Sequence, residues 1–198
     1  MHIQYYGKSC VKVTTKPMGR GTDDTTLIIN PFERTKTMAP PQRSSAQVVI
    51  RSVPCDIIPN DTVVDICTPG EYAVRGVQII GVQTAPTVDA TVYMIESESL
   101  RVAVVDGSSE TPSARAMEVL SGADIVLIGY GDGLLSLDSA ASVVRALSPS
   151  HVIPLGEESS ASVCTAFGGS CHDDAGAKVI IKAADCTTDG MTIHPLSM

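Results

Sequence analysis

P-G-E-Y-A-V-R-G-V-Q-I-I-G-V, residues 69–82, sets alternating apolar residues between three glycines, and its reading decides the fold. The alternation predicts a half-buried strand over residues 72–82. Pro69-Gly70 before it suits a type II turn, because proline fixes φ and glycine accepts positive φ. The apolar run at 63–67 is then expected to pair with 72–82 as a hairpin. Downstream, residues 91–95 and 101–105 predict a second hairpin across the polar link at 96–99. Upstream, residues 3–6, 10–14, 25–30 and 48–51 are further strand candidates, separated by Gly, Pro and polar clusters. Residues 30–46 contain Pro31, Pro40 and Pro41 among polar residues and read as a connection.

The period changes in the second half. Residues 113–120 and 137–147 place apolar side chains at helical spacing, with Ser136 or Asp138 available as an N-cap. Residues 159–167 predict a third helix, ended by Gly168-Gly169. The short apolar runs at 125–128 and 152–155 fit strands buried on both faces. Strands first, then alternating helices and strands, predict two stacked sheets with helices outside.

Composition bounds the function. A chain of 198 residues can bury a real core and fits one domain, residues 1–198. With 43% apolar but only 4% aromatic residues, that core must rely on Val, Ile, Leu and Ala. The formal net charge of −8 argues against a broad phosphate-binding face, although an acidic average can hide a local basic patch. No nucleic-acid partner is therefore expected. No basic segment followed by an apolar stretch opens the chain, and no run approaches the ~20 apolar residues of a membrane span. The expectation is a cytoplasmic protein without a membrane partner. Cys10, Cys55, Cys67, Cys164, Cys171 and Cys186 lack C-x-x-C pairing, so reduced thiols are expected. Cys164 and Cys171 flank the Gly168-Gly169 turn and could approach each other.

In its order of segments the chain resembles the small bacterial Zn-dependent hydrolase branch of the metallo-β-lactamase fold. I-Q-Y-Y-G-K-S-C-V-K-V (3–13) is similar to the family opening, with Lys8 in place of the usual His. T-L-I-I-N-P-F (26–32) is similar to a strand ending in Asp-Pro-Phe, with Asn30 in the Asp position. The 69–82 run is the most specific match. Residues 123–129, 135–141, 151–155, 167–169 and 178–185 follow in family order. The resemblance implies a four-layer αββα sandwich of two mixed β-sheets with outer helices. It also implies a zinc-binding S-H-x-H-x-D-H loop after the fourth strand.

Here that loop reads S-V-P-C-D-I-I-P-N (52–60), directly after Val48-Val49-Ile50. Aligning Ser52 with the family serine puts Val53, Cys55, Ile57 and Ile58 in the ligand places. Ala85 lies near the place of a further His, and Gly156 occupies the place of the last one. Asp106 is within one residue of the bridging Asp, although Asp106-Gly107 reverses the family's Gly-Asp order. His151 matches a common non-ligand His. Val and Ile cannot donate to zinc, for which imidazole is the usual ligand. Bound zinc lowers the pKa of water from about 15.7 to about 7, roughly 12 kcal/mol of nucleophile activation. No visible residue replaces that contribution.

The resulting expectation is a non-catalytic protein on a hydrolase scaffold, a binding or assembly module needing no cofactor. Its vestigial pocket comprises Val53, Cys55, Asp56, Ile57, Ile58, Ala85, Asp106, Gly156 and Glu157. Val53, Ile57 and Ile58 are expected to be buried where metal would sit. Cys55 as a nucleophile would need a base, which the sequence does not place beside it. Asp56, Glu157 and Glu158 read as loop charges. The occupant would be a protein or a small molecule, and a homo-oligomer is compatible with the pattern. The competing expectation is a metal-dependent hydrolase with an altered zinc site.

Overall fold

The computed structural model describes residues 1–17, 23–42, 45–54, 63–157, 159–172, 176–186 and 190–197. Among them, fourteen strands form two mixed sheets and three helices complete an α+β sandwich, as the sequence predicts. The first sheet contains β1 (His2–Tyr5), β2 (Val11–Thr15), β3 (Thr25–Ile29), β4 (Val48–Ile50) and β5 (Val64–Ile66) in chain order. The late strand β13 (Lys178–Ile180) adds to it beside β1. Register decides which side chains reach the core. Ile3 stands opposite Val13 and Val179, so those residues turn inward, while Gln4, Lys12 and Lys178 share the outer face.

The second sheet runs β12 (Ser170–Cys171), β14 (Thr192–Ile193), β11 (His151–Leu155), β10 (Ile125–Gly129), β9 (Leu100–Val105), β8 (Thr91–Ser97), β7 (Val77–Gln83), β6 (Gly70–Val74). At its centre β9, β10 and β11 are parallel, and every residue of β10 and β11 is buried. Ile125, Leu127, Ile153 and Leu155 face the core between the sheets. Val126, Ile128 and Val152 face the helices, which is why these strands read as unbroken apolar runs.

All three helices pack on the outer face of this second sheet. They are α1 (Ala114–Leu120), α2 (Leu137–Leu147) and α3 (Ser160–Phe167). Each begins at a serine whose hydroxyl accepts a backbone N–H of the first turn: Ser113 from Ala116, Ser136 from Ser139, Ser159 from Ser162. The outer face of the six-stranded sheet is organised differently. Cys10, Ile28, Ala46 and Val49 form a small cluster there with Tyr6, Phe32 and Val63. Over β1, β2 and β13, no helix covers it among the described residues.

Two expectations change. The hairpin between 63–67 and 72–82 does not form, because β5 pairs with β4 in one sheet and β6 with β7 in the other. The 69–82 run instead folds on itself at Arg75-Gly76, with φ of 50° and 80°. A Cβ on Gly76 would stand 2.8 Å from Pro17 Cβ, so both the positive φ and the close approach require glycine. The hairpin of β8 and β9 forms as expected. The second change concerns the thiols. Gly168 takes a left-handed φ of 75° and turns the chain back, so a disulfide joins Cys164 in α3 to Cys171 in β12, with Cα atoms 5.8 Å apart. Cys10 and Cys67 are buried.

Candidate functional site at the strand ends

Parallel strands end together, and the ends of β9, β10 and β11 carry Asp106, Tyr130 and Gly156-Glu157. The six-stranded sheet brings Ser9 from the β1–β2 turn, Asn30 from the end of β3 and Ser52 from beyond β4. Asp106 is only 7% exposed. Ser9 Oγ donates to its Oδ1 at 3.1 Å, and Asn30 Nδ2 donates to its Oδ2 at 2.6 Å. Asn30 is itself held by Ser52, whose N–H donates to Asn30 Oδ1 at 2.7 Å and whose Oγ accepts from Nδ2 at 3.1 Å. Burial pushes the Asp106 carboxyl up to about 6, although hydrogen bonds from Gly107, Ser9 and Asn30 pull it down. The carboxylate lies on the Gly129 backbone: a Cβ at 129 would stand 2.8 Å from Asp106 Cγ.

Beside this network is a pocket of about 280 Å³ lined by Tyr5, Lys8, Met38, Tyr130, Gly156 and Glu157. Tyr5 OH donates to the Lys8 carbonyl at 2.7 Å. Burial pushes the Tyr5 phenol up to about 12, and nearby Tyr130, Glu157 and Asp106 add to the shift. The Lys8 ammonium lies 5.4 Å from the centre of the Phe32 ring, within cation–π range. Tyr130 is almost fully buried, and its ring covers Gly156. A Cβ there would stand 2.6 Å from Tyr130 Cε2. Ser9, Tyr5 and Tyr130 were not legible as site residues. Their signal was their place within the family-like segment at 3–13 (Tyr5, Ser9) or directly after the one at 123–129 (Tyr130).

Of the nine predicted pocket residues, Asp106, Gly156 and Glu157 gather at this end. Val53 is 48% exposed and not buried, a correction. It rests against Gly107, where a Cβ would meet Val53 Cγ1 at 3.1 Å, and its other side faces solvent. Ala85 is buried and carries no donor. Cys55, Asp56, Ile57 and Ile58, like Glu158, lie outside the described residues. Three histidines cluster elsewhere. His151 opens β11, at the opposite end of that strand from Gly156, and its Nδ1 lies 3.1 Å from His194 Nε2. The His172 ring centre is 5.4 Å from that of His194. Burial holds His194 down at about 4, with His151 and His172 adding to the effect.

The zinc that the resemblance implies does not fit the described part of this donor set. Asp106 is the one family-position residue there with a donor atom, and both its oxygens are already engaged. Among the described residues, no group of three or more His, Cys, Asp or Glu could hold a metal.

Fold and strand-end site together define the class. The profile of the β-lactamase superfamily domain matches residues 2–156, and the chain belongs to that family. Solved structures that share the fold include the following three. One, from Thermotoga maritima, is assigned to the Zn-dependent hydrolases of the metallo-β-lactamase superfamily. It is 17% identical with a TM-score of 0.70, covering 99% of each chain. The metallo-β-lactamase fold protein YhfI from Bacillus subtilis is 11% identical with a TM-score of 0.59, covering 99% of this chain and 96% of its own. A protein from Parabacteroides distasonis assigned as a metal-dependent hydrolase is 13% identical with a TM-score of 0.58, covering 83% of this chain and 87% of its own. No curated protein matches the sequence. No helix among the described residues is long and apolar enough to cross a membrane.

Proposed function

We propose that this chain is a metallo-β-lactamase-fold protein whose strand-end pocket binds rather than hydrolyses. The observation that carries the reading is the packing of Tyr130 over Gly156, which leaves no room for a ligating side chain at the family's last histidine place. The neighbouring carboxylate points the same way, since Asn30 and Ser9 hold Asp106 in a closed hydrogen-bond network. Such a network serves structure better than metal exchange, because withdrawing a buried acceptor strands its donors at a cost of about 1–3 kcal/mol. Two tyrosines, Tyr5 and Tyr130, line the pocket together with Lys8 and Glu157. That chemistry suits a small polar ligand with a flat apolar part. A protein segment or a second copy of the chain would be an assembly-module version of the same reading.

A second reading is a metal-dependent hydrolase with an altered metal site. It is supported by the solved neighbours assigned to metal-dependent hydrolases and by a carboxylate near the bridging position. One experiment separates the two. Protein purified without chelators is assayed for bound metal, and for hydrolysis of phosphodiester, lactone and β-lactam substrates with zinc or manganese, before and after chelation. The binding reading expects well under one metal per chain and no chelator-sensitive turnover. Stoichiometric metal lost together with activity on chelation would establish the second.

A further inference from the structure

The outer face of β1, β2 and β13 gathers four of the chain's six lysines around one shallow depression of about 530 Å³. Strand register sets their spacing. Gln4 stands opposite Lys12 on one side and Lys178 on the other, so those two lysines are two strand spacings apart, about 10 Å. One residue pair further along, His2 stands opposite Thr14 and Ile180. Lys16 and Lys182 continue the same two rows and also line the depression, about 13 Å along the strands from the first pair. The result is a rectangle of four lysine backbone positions with the hydrogen-bonding residues Gln4, His2 and Thr14 among them. Exposed Ile180, 47% accessible, adds an apolar spot.

Among the described residues, this charge is offset only by Asp24, since Glu98 is taken up by the Met1 ammonium. Among the described residues, no carboxylate forms an ion pair with Lys12, Lys16, Lys178 or Lys182. Glu98, which also lines the depression, is occupied by the Met1 amino group at 2.8 Å, by Thr15 Oγ1 at 2.8 Å and by the Lys16 backbone N–H. Asp24 is the other carboxylate on the lining. In a chain of net charge −8, concentrating cations on one bare sheet face selects for a multiply charged anion of limited size. A long polyanion would also meet the acidic remainder of the surface.

We propose that this face is a binding site for a small organic polyphosphate of the nucleoside triphosphate class. The lysine rows hold the phosphates, and Ile180 contacts the organic part. The site is separate from the strand-end pocket and does not depend on how that pocket functions.

The test is calorimetric titration of the full chain with ATP, with inorganic tripolyphosphate and with a single-stranded RNA 12-mer, at one fixed salt concentration. Saturable ATP binding is expected, weakened at least tenfold in Lys12→Gln/Lys178→Gln and again in Lys16→Gln/Lys182→Gln. Ile180→Ser should weaken ATP while leaving tripolyphosphate unchanged. Arg115→Gln, on an exposed helix position, is the control that should bind like wild type. Melting curves establish that each variant is folded. Absence of saturable ATP binding, or ATP binding unchanged in both folded double-lysine variants, overturns the proposal. So does RNA binding more than tenfold tighter than ATP, which would make the face a nucleic-acid groove.

Discussion

The Tyr130 ring occupies the volume that a side chain at position 156 would need, with Cε1 2.7 Å from where a Cβ of Gly156 would be. Two short sequence features, a Gly-Tyr-Gly bend after β10 and an I-P-L-G strand end in β11, thereby become one contact. The contact makes the glycine at 156 part of the packing.

Gly156→His tests this directly. The new imidazole must displace Tyr130, and overpacking of a closed site costs about 1–3 kcal/mol. At about 2–4 °C per kcal/mol for a chain of this size, the melting temperature should fall by several degrees. Added zinc should not restore it, because one imidazole supplies a single donor where zinc takes about four. A zinc-dependent rise in melting temperature would contradict this packing account.

Asp106 should impose a pH-dependent cost on folding. Its carboxyl is raised from 3.8 to about 6 in the folded state, so the folded chain holds that proton more tightly than the unfolded one. The cost is absent below the unfolded value, grows between about 4 and 6, and is complete above the folded value, at which point it is on the order of 3 kcal/mol. Asp106→Asn can keep an acceptor for Asn30 and removes the titration. The stability difference, variant minus wild type, should therefore grow in the variant's favour as pH rises from 4 to 7. Urea denaturation at several pH values measures it, and a flat difference would remove burial as the cause.

Leu127 is fully buried in the core between the sheets, on the central parallel strand. Leu127→Ala should cost about 2–5 kcal/mol, the usual range for deleting a core leucine and leaving a cavity. Thermal and denaturant melts read it. A cost below about 1 kcal/mol would mean that this core collapses around the gap.

The Cys164–Cys171 disulfide closes a short loop between α3 and β12. The disulfide accounts for two of the chain's six cysteines, so reducing the denatured protein should raise its titratable thiols by at least two, to six. Reduction, or Cys171→Ser, should destabilise the fold by about 2–3 kcal/mol, the loop-closure value for so short a span. Six thiols without reductant would show the pair to be open in solution.

The sequence by itself determined many of the elements. Alternation over 91–105 marked a hairpin, continuous apolar runs at 125–128 and 152–155 marked doubly buried strands, helical spacing marked α1 and α2, and the Gly168-Gly169 stop marked the end of α3. These are local signals, since periodicity and capping depend on residues within a turn or a strand of one another. The family resemblance drew attention to Asp106 and Gly156, through their order relative to the matching segments. Tertiary structure alone decided the pairing of β5 and β6 with different sheets, because an apolar run carries no label for its partner. It decided that Val53 faces solvent, since a loop residue's exposure depends on what the other sheet brings beside it. It brought Ser9, Asn30 and Ser52 to one carboxylate, and four lysines from two ends of the chain to one face. Those groupings join residues up to 170 positions apart (Lys12 and Lys182), and only strand register sets their distances.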